Sequence, residues 1–477
     1  MSKIKDNNSK QNDGNKEFLE NSIEKNLLES RKKILDLLIN EYKFDKQMAF
    51  QIERSIYEST RIKMKEKYTF SEPFTIVNKE LENKKLISKY QDFVNWSWIA
   101  MTIPFYHSLG DTMGYFNGNW EFNYGEIHAG PDYVNDLIYE FIALGGVNDL
   151  SIKNWLASDD TILYNATLEI LSNPFDNIYD FGKKLKDAYI KAKPLIINRN
   201  PGERTMVSLA NQEYIEWDKL RYDSNAIGNG SVMRSGCIGI FYPGKQNRKT
   251  LVELSIECSR ITHNSAIAIL GSITAALFTA YALEKIEINK WPNKLIRLLE
   301  LKIDEDYIEK TYPEDYPIYS REKILYVGKW KSYTTLLFAG INKPRMDIRL
   351  MKNPVQRYKY LMENFSKGCD FPGSCADDCV IMAYDSVLRS DGVFEKLIIY
   401  SILHPGDSDT VGSVAFSWFG AYYYSPRNEQ LIGHRFDDLE FHNQIYDLVE
   451  KNIPKMIKIY YYDIYLDIAN KYLKQYI

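Results

Sequence analysis

Net charge is nearly absent from this sequence: 60 Lys and Arg stand against 64 Asp and Glu in 477 residues, leaving −4 at neutral pH. No whole-chain field of the kind that draws a protein to nucleic acid or an anionic membrane arises, so partners have to be argued from local sites. Cysteine is scarce too. Cys237, Cys258, Cys369, Cys375 and Cys379 form an odd, scattered set without CxxC spacing or a nearby HxxxH, which reads as reduced intracellular thiols rather than a zinc site or disulfide framework. The first sixteen residues lack the apolar stretch of a secretory signal, and a soluble cytoplasmic protein is the expectation. Long hydrophobic runs are few. Only Ala266 to Leu283 approaches a membrane span in length, and its Ser272, Thr274, Thr279 and many small residues suit a close-packed buried helix better.

What is present is a 45% hydrophobic fraction, enough for a packed core. Residues 1–16 are polar and uncapped and read as a disordered leader. Leu19, Ile23, Leu27, Ile34 and Leu38 share one helical face, and Asp45 is placed to cap a second helix, so 17–95 reads as a helical N-terminal extension. Residues 96–477 form the main domain. Helical patterns recur at Thr161 to Leu171, Leu251 to Leu283, Val380 to Leu388 and Val411 to Tyr424, and little alternates with the two-residue period of a strand. An all-α domain follows. The prolines between Glu284 and Pro354 suggest long loops there.

Two acidic runs carry the most chemistry. Ser158, Asp159, Asp160 and Thr161 precede one apolar helical pattern, and Gly406 to Thr410, with Asp407 and Asp409, precede another. Ser, Asp and Thr are ordinary helix caps, and taken singly each run reads as one. Paired acids in two such runs exceed what caps need and also suit Mg²⁺ or Mn²⁺, which take carboxylate and hydroxyl oxygens in octahedral array. Composition leaves both readings open. A third element, Gly228 to Arg234 (GNGSVMR), fits neither the P-loop nor GxGxxG. Its glycine amides could wrap a phosphate with Arg234 adding charge, or the segment is simply a turn that starts a helix.

In order, the chain carries GDTMGYFNGNWEF (Gly110 to Phe122), SDDT, GNGSVMR, THNSAIAILGSITAALFTAYAL (Thr262 to Leu283), GSCADDCVIMAYDSVL (Gly373 to Leu388) and HPGDSDTVGSVAFSWFG (His404 to Gly420). This series resembles the ADP-ribosylglycohydrolase family over about residues 97–424, and its YFNGNWEF segment looks most like the ADP-ribosylarginine hydrolase branch. The resemblance implies an orthogonal multi-helix bundle around a cleft with two Mg²⁺ ions, Mn²⁺ being an alternative. Ser158, Asp159, Asp160, Asp407, Asp409 and Thr410 match its metal ligands, and Asp159, Asp160 and Glu121 its catalytic carboxylates. Gly228, Asn229, Gly230, Ser231, Met233 and Arg234 match a diphosphate loop, and Gly373, Ser374 and Asp378 a loop near the nucleotide. His263 falls where the arginine branch has several histidines; here Asn264, Ser265 and Ala266 follow it. Cys375 and Asp377 replace an expected Ser and His, and Pro104 lies inside the expected first helix.

The implied reaction is metal-dependent hydrolysis of the bond between ADP-ribose and a modified side chain, most simply arginine, by a monomer acting on an ADP-ribosylated protein or free conjugate, with no nucleic acid or membrane involved. Tyr115, Phe116 and Trp120 are expected to shape the mouth where a planar guanidinium enters. Rival readings are a hydrolase of ADP-ribosylserine, poly(ADP-ribose) or O-acetyl-ADP-ribose, and a catalytically silent relative, which would show gaps in the acidic runs; none occurs. A helical phosphohydrolase would need His-Asp pairs, and the chain has no HD dipeptide.

Overall fold

The computed structural model describes residues 84–123, 130–337 and 352–452. The readings made for residues 1–83 lie outside them. Backbone contacts divide the chain into one unit of Met1–Ser97 with Lys451–Ile477 and another of Trp98–Glu450. Every named element among the described residues is a helix, and the one extended pairing is an isolated antiparallel bridge between Gly228 and Cys375. Eight helices build the core and the site: α1 (Lys84–Tyr115), α2 (Asp159–Ser172), α3 (Ile178–Ile196), α4 (Arg248–Arg260), α5 (Ala266–Leu283), α6 (Tyr316–Leu337), α7 (Ala376–Ser390) and α8 (Ser408–Tyr423).

Helix α5 is the apolar run, and all but one of its residues are buried. It meets α4, α6, α7 and α8. Its hydroxyls are compatible with burial because each finds a carbonyl: Thr274 Oγ1 donates to Leu270 O (2.8 Å) and Thr279 Oγ1 to Ala275 O (3.0 Å). The reading of 251–283 as one helical stretch resolves into two helices. Ser265 accepts from Ala268 N (3.2 Å) and starts α5 afresh after the turn that ends α4. Phe278 centres an aromatic cluster with Trp291, Trp330, Tyr384 and Trp418.

Two expectations change. Of the 284–354 region, 338–351 lie outside the described residues, and the part up to Leu337 is mostly not loop: Trp291–Glu300, Ile303–Thr311 and α6 are helical, with Pro292 in the first turn of its helix and Pro317 second in α6, where a missing N–H costs nothing. Pro104 does not set the start of α1, which runs through it. An interior proline costs roughly 3 kcal/mol, and the burial of Ile103, Tyr106, Leu109 and Met113 around it offsets that.

Candidate active site

The site forms where the N-termini of α2 and α8 meet beside the C-terminal end of α1. Ser158 caps α2, its hydroxyl accepting from Asp160 N (3.1 Å), and Asp407 caps α8, accepting from Thr410 N (3.2 Å). Both runs are therefore caps. They also converge: Thr410 Oγ1 lies 3.4 Å from Asp160 Oδ1, and Ser413 Oγ donates to Asp160 Oδ2 (3.0 Å), across some 250 positions of sequence.

Asp111, inside the GDT motif of α1 and given no role by sequence reasoning, ties the first run down. Its Oδ1 accepts from Ser158 N (3.1 Å), and its Oδ2 accepts from Thr161 N (3.0 Å) and from the Thr161 hydroxyl. One residue upstream, Ala157 is clamped by an ion pair: Arg199 donates to Ala157 O (2.6 Å) and to Glu440 (2.7 Å), while Glu440 accepts from Ala157 N (3.1 Å). Close helix contact makes the Asp111 link feasible, since a β-carbon on Gly110 would fall on the Gly412 carbonyl of α8.

Glu121 follows a loop with left-handed backbone at Phe116 (φ 40°) and Asn117 (φ 56°) and precedes another left-handed residue, Phe122 (φ 52°). Non-glycine residues in this region cost about 1–3 kcal/mol each and persist where surrounding contacts hold them. Here Phe122 N donates to Gly406 O (3.1 Å), beside the second acidic run, and its ring packs on Phe371. Glu121 is 5% exposed.

Asp111, Glu121, Asp159, Asp160, Asp407 and Asp409 are thus six buried carboxyl groups in one place. Burial first, then the neighbouring acids, push Glu121, Asp160 and Asp409 well above the usual carboxylate range. Asp159 rises to about 7 through burial and Asp111. Burial also raises Asp111 and Asp407, against the hydrogen bonds each accepts. Six acids gathered with the hydroxyls of Ser158, Thr161, Thr410 and Ser413 match the donor chemistry of hard divalent cations, whose charge would offset the repulsion.

Asn229 binds the glycine loop to this centre: Nδ2 donates to Asp407 Oδ2 (2.9 Å) and to Gly373 O (2.8 Å), and its N–H donates to Ser374 O (3.0 Å). Gly373 must be glycine: its φ is +93°, and a β-carbon would meet Val411 Cγ2 at 2.9 Å. His263 lies under the glycine loop, 2.7 Å from where a Gly230 β-carbon would be, with Nδ1 against Thr262 Oγ1 (2.8 Å). Burial, then Arg234 and Arg204, keep His263 neutral.

Several side chains assigned to substrate are otherwise engaged. The Arg234 guanidinium is held by protein groups: it is fully buried, donates to Cys258 O (2.8 Å) and Thr262 Oγ1 (2.6 Å), and lies over the Tyr189 ring, so its charge acts as a field on His263 and Asp159. The Ser231 hydroxyl donates to Ala268 O (3.1 Å), Met233 is buried, and the Ser374 hydroxyl donates to Phe371 O (2.7 Å). Asp378 faces its own loop, accepting from Gly373 N (2.8 Å) and Cys375 N (3.0 Å). What the loops at 228–231 and 373–374 offer a ligand is therefore backbone. Asp377, which would oppose a diphosphate, pairs with Lys329 (2.5 Å).

Trp120 and Phe116 do not form an aromatic mouth. Trp120 is wholly buried, its Nε1 donates to Glu140 (2.9 Å), and Phe116 stacks on Trp155 at 4.0 Å. Tyr115 does face the acids, and burial, Glu121 and Asp409 push its hydroxyl up to about 12. The expectation of reduced thiols is also corrected: Cys369 and Cys375 form a disulfide, and Cys237, Cys258 and Cys379 are free and buried. The same two sulfurs lie within 4.8 Å of Asp377 and Asp378, a donor set that could hold a metal ion. With the sulfurs bonded to each other and both carboxylates engaged, that set is closed in this state.

Comparison with known proteins agrees with this architecture. Residues 107–451 match the ADP-ribosylglycohydrolase family model. A protein of Acanthamoeba polyphaga mimivirus, L444, which carries a provisional ADP-ribosyl glycohydrolase name, is 54% identical over 463 residues, 95% of this chain and 90% of its own. ADP-ribosylhydrolase ARH1 of Dictyostelium discoideum is 34% identical over 369 residues, 72% of this chain and 91% of its own. A solved structure titled ADP-ribosylglycohydrolase-related protein complex aligns with TM-score 0.46 and 18% identity over 76% of this chain and 98% of its own. With the family model spanning most of the helical unit that holds the acidic centre, the chain belongs to the ADP-ribosylglycohydrolase family.

Proposed function

We propose that this chain hydrolyses the N-glycosidic bond between ADP-ribose and a modified arginine side chain, dependent on two Mg²⁺ ions. The observation that carries the reading is the convergence of the two acidic runs on Asp160, with Glu121 buried beside them. Ser158, Asp159, Asp160, Asp407, Asp409 and Thr410 would hold the ions, which when bound polarise ribose hydroxyls and a water.

The protein's own groups then divide the work. Asp111 and the Arg199–Glu440 clamp fix the backbone of the first run, and Asn229 fixes Asp407, so ligand oxygens are oriented before substrate arrives. Glu121 would take the proton of the attacking water as its oxygen bonds to the anomeric carbon. As the carbon–nitrogen bond breaks, the departing guanidine takes up a proton, in balance the one removed from the water, and nearby carboxylates offset the positive charge developing on the sugar. The arginine assignment draws on the YFNGNWEF likeness; Tyr115 and Glu121 of that segment lie beside Asp409.

The test is release of ADP-ribose from separate arginine-linked and serine-linked substrates, with Mg²⁺ and with chelator. Arginine-linked release that requires Mg²⁺ is expected. Equal or faster serine-linked release defeats the arginine assignment and leaves the hydrolase; release unaffected by chelator defeats the metal assignment.

A further inference from the structure

The Cys369–Cys375 disulfide, six positions from cysteine to cysteine, closes a short strap that touches the second acidic run, the glycine loop and the loop that carries Glu121. Pro372 O accepts from Asp407 N (2.9 Å), Gly373 O accepts from Asn229 Nδ2 (2.8 Å), and Ser374 O accepts from Asn229 N (3.0 Å). Phe371 packs on Phe122, next to Glu121. We propose that Cys369 and Cys375 form a reversible thiol–disulfide modification site, reduced by a dithiol, whose oxidised state holds this strap against the acidic centre and whose reduced state loosens it. The proposal goes beyond the hydrolase reading and does not depend on it.

The chemistry favours exchange at this bond. Cys369 is half-buried, so its sulfur can be reached, while Cys375 is 3% exposed. Cys375 is the N-cap residue of α7, and its own N–H donates to Asp378 Oδ1 (3.0 Å). A thiolate leaving from Cys375 is favoured by the N-terminus of α7 and opposed by Asp377 and Asp378 within 4.8 Å, an opposition reduced by the pairing of Asp377 with Lys329. One thiolate of the dithiol attacks the Cys369 sulfur, forming a mixed disulfide and expelling the Cys375 thiolate. The second thiol then displaces Cys369, so the reductant leaves as its own disulfide, two electrons pass to the protein, and both cysteines take up protons. Cys379, one turn beyond Cys375, stays a protonated thiol, since burial and the nearby Asp407 and Asp378 disfavour its anion.

The loop closed by the bond is short. Its loss releases chain entropy to the strap and leaves only hydrogen bonds to hold Pro372, Gly373 and Ser374 in place. The groups that feel this directly are the N–H of Asp407 and both donors of Asn229.

The test uses the full chain, oxidised with glutathione disulfide or reduced with dithiothreitol. Thiol titration after denaturation should give three thiols in the oxidised form and five in the reduced. Amide hydrogen exchange at Asn229 and Asp407 should speed up on reduction by about tenfold or more. Cys369→Ser should show the fast exchange with and without reductant, which assigns the effect to this bond and not to Cys237, Cys258 or Cys379. Five thiols after oxidation, or unchanged exchange at both amides, would overturn the proposal. Tenfold faster exchange in a protein that binds ADP-ribose in neither state would support the switch while sinking the hydrolase reading.

Discussion

Replacing Asp159 by Asn should stabilise the metal-free protein, the reverse of what removing a buried, hydrogen-bonded charge usually does. The carboxyl is 6% exposed, and burial and Asp111 lift it from 3.8 to about 7. A carboxyl with a raised folded value binds its proton more tightly folded than unfolded, so stability is lost as pH rises from 3.8 toward about 7 and stays lost above. Over that interval the loss amounts to ~4 kcal/mol. Asn keeps the shape and never carries the charge, so at pH 8 with chelator the variant should unfold at higher urea, by about 1–4 kcal/mol, and near pH 4 the two proteins should coincide. With Mg²⁺ at a hundred times its dissociation constant the wild type should gain ~2.7 kcal/mol and the variant far less, together with loss of ADP-ribose release. Urea unfolding across pH, with and without Mg²⁺, reads all of this. A variant less stable than wild type at pH 8 without metal would refute the picture of an acidic cluster held together against its own charge.

Asp111→Asn sets an amide N–H₂ against the donors of Ser158 or Thr161, so it should cost about 2–3 kcal/mol and weaken Mn²⁺ binding measured by calorimetry. Trp120→Ala removes a wholly buried ring bonded to Glu140 and should cost ~3–5 kcal/mol in urea unfolding, where an aromatic-mouth role would have left stability intact. Arg357→Ala strips Asp385 of its buried partner, leaving Tyr333 (2.8 Å) and Arg389 (3.5 Å), and should cost ~3–5 kcal/mol with no change in metal affinity.

The parts legible in the sequence are those whose cause is local. Ser158 and Asp407 cap the helices they precede, and the apolar periodicity after each marks α2 and α8. The small residues and hydroxyls of α5 point to burial because each hydroxyl can bond a carbonyl, Thr274 and Thr279 one turn back and Ser272 on α4 at Ser255 O. Long-range causes were not legible. Asp111 acts on amides 47 and 50 positions away, and although it lies in the Gly110 to Phe122 motif, nothing local shows what it holds. Trp120 was misplaced because an aromatic in a functional loop reads the same whether it faces substrate or core, and only the partner Glu140 decides. The prolines of 284–354 were read as breakers since their position within a helix depends on where the helix begins. The disulfide is not legible because a separation of six matches no familiar framework, and its consequence lies in a strap whose Gly373 is 144 positions from its partner Asn229.

The same separation explains why the acids can be gathered at all. Carboxylates facing one another repel, so the scaffold has to press them together with interactions made elsewhere. Glycine supplies the approach: Gly110 lies on the carbonyl of Gly412, and Gly114 lies on Ser408, whose hydroxyl donates back to Gly114 O (2.8 Å). With α1 and α8 in backbone contact, Asp111 reaches the turn before α2, and Ser413, one turn into α8, reaches Asp160. Behind them α5 gives a rigid apolar floor, bonded to α8 by Trp418 Nε1 at Ala275 O (3.2 Å). The repulsion is then confined to side chains on helices that cannot separate, and a bound cation relieves it without moving a helix while leaving the carboxylates ionised.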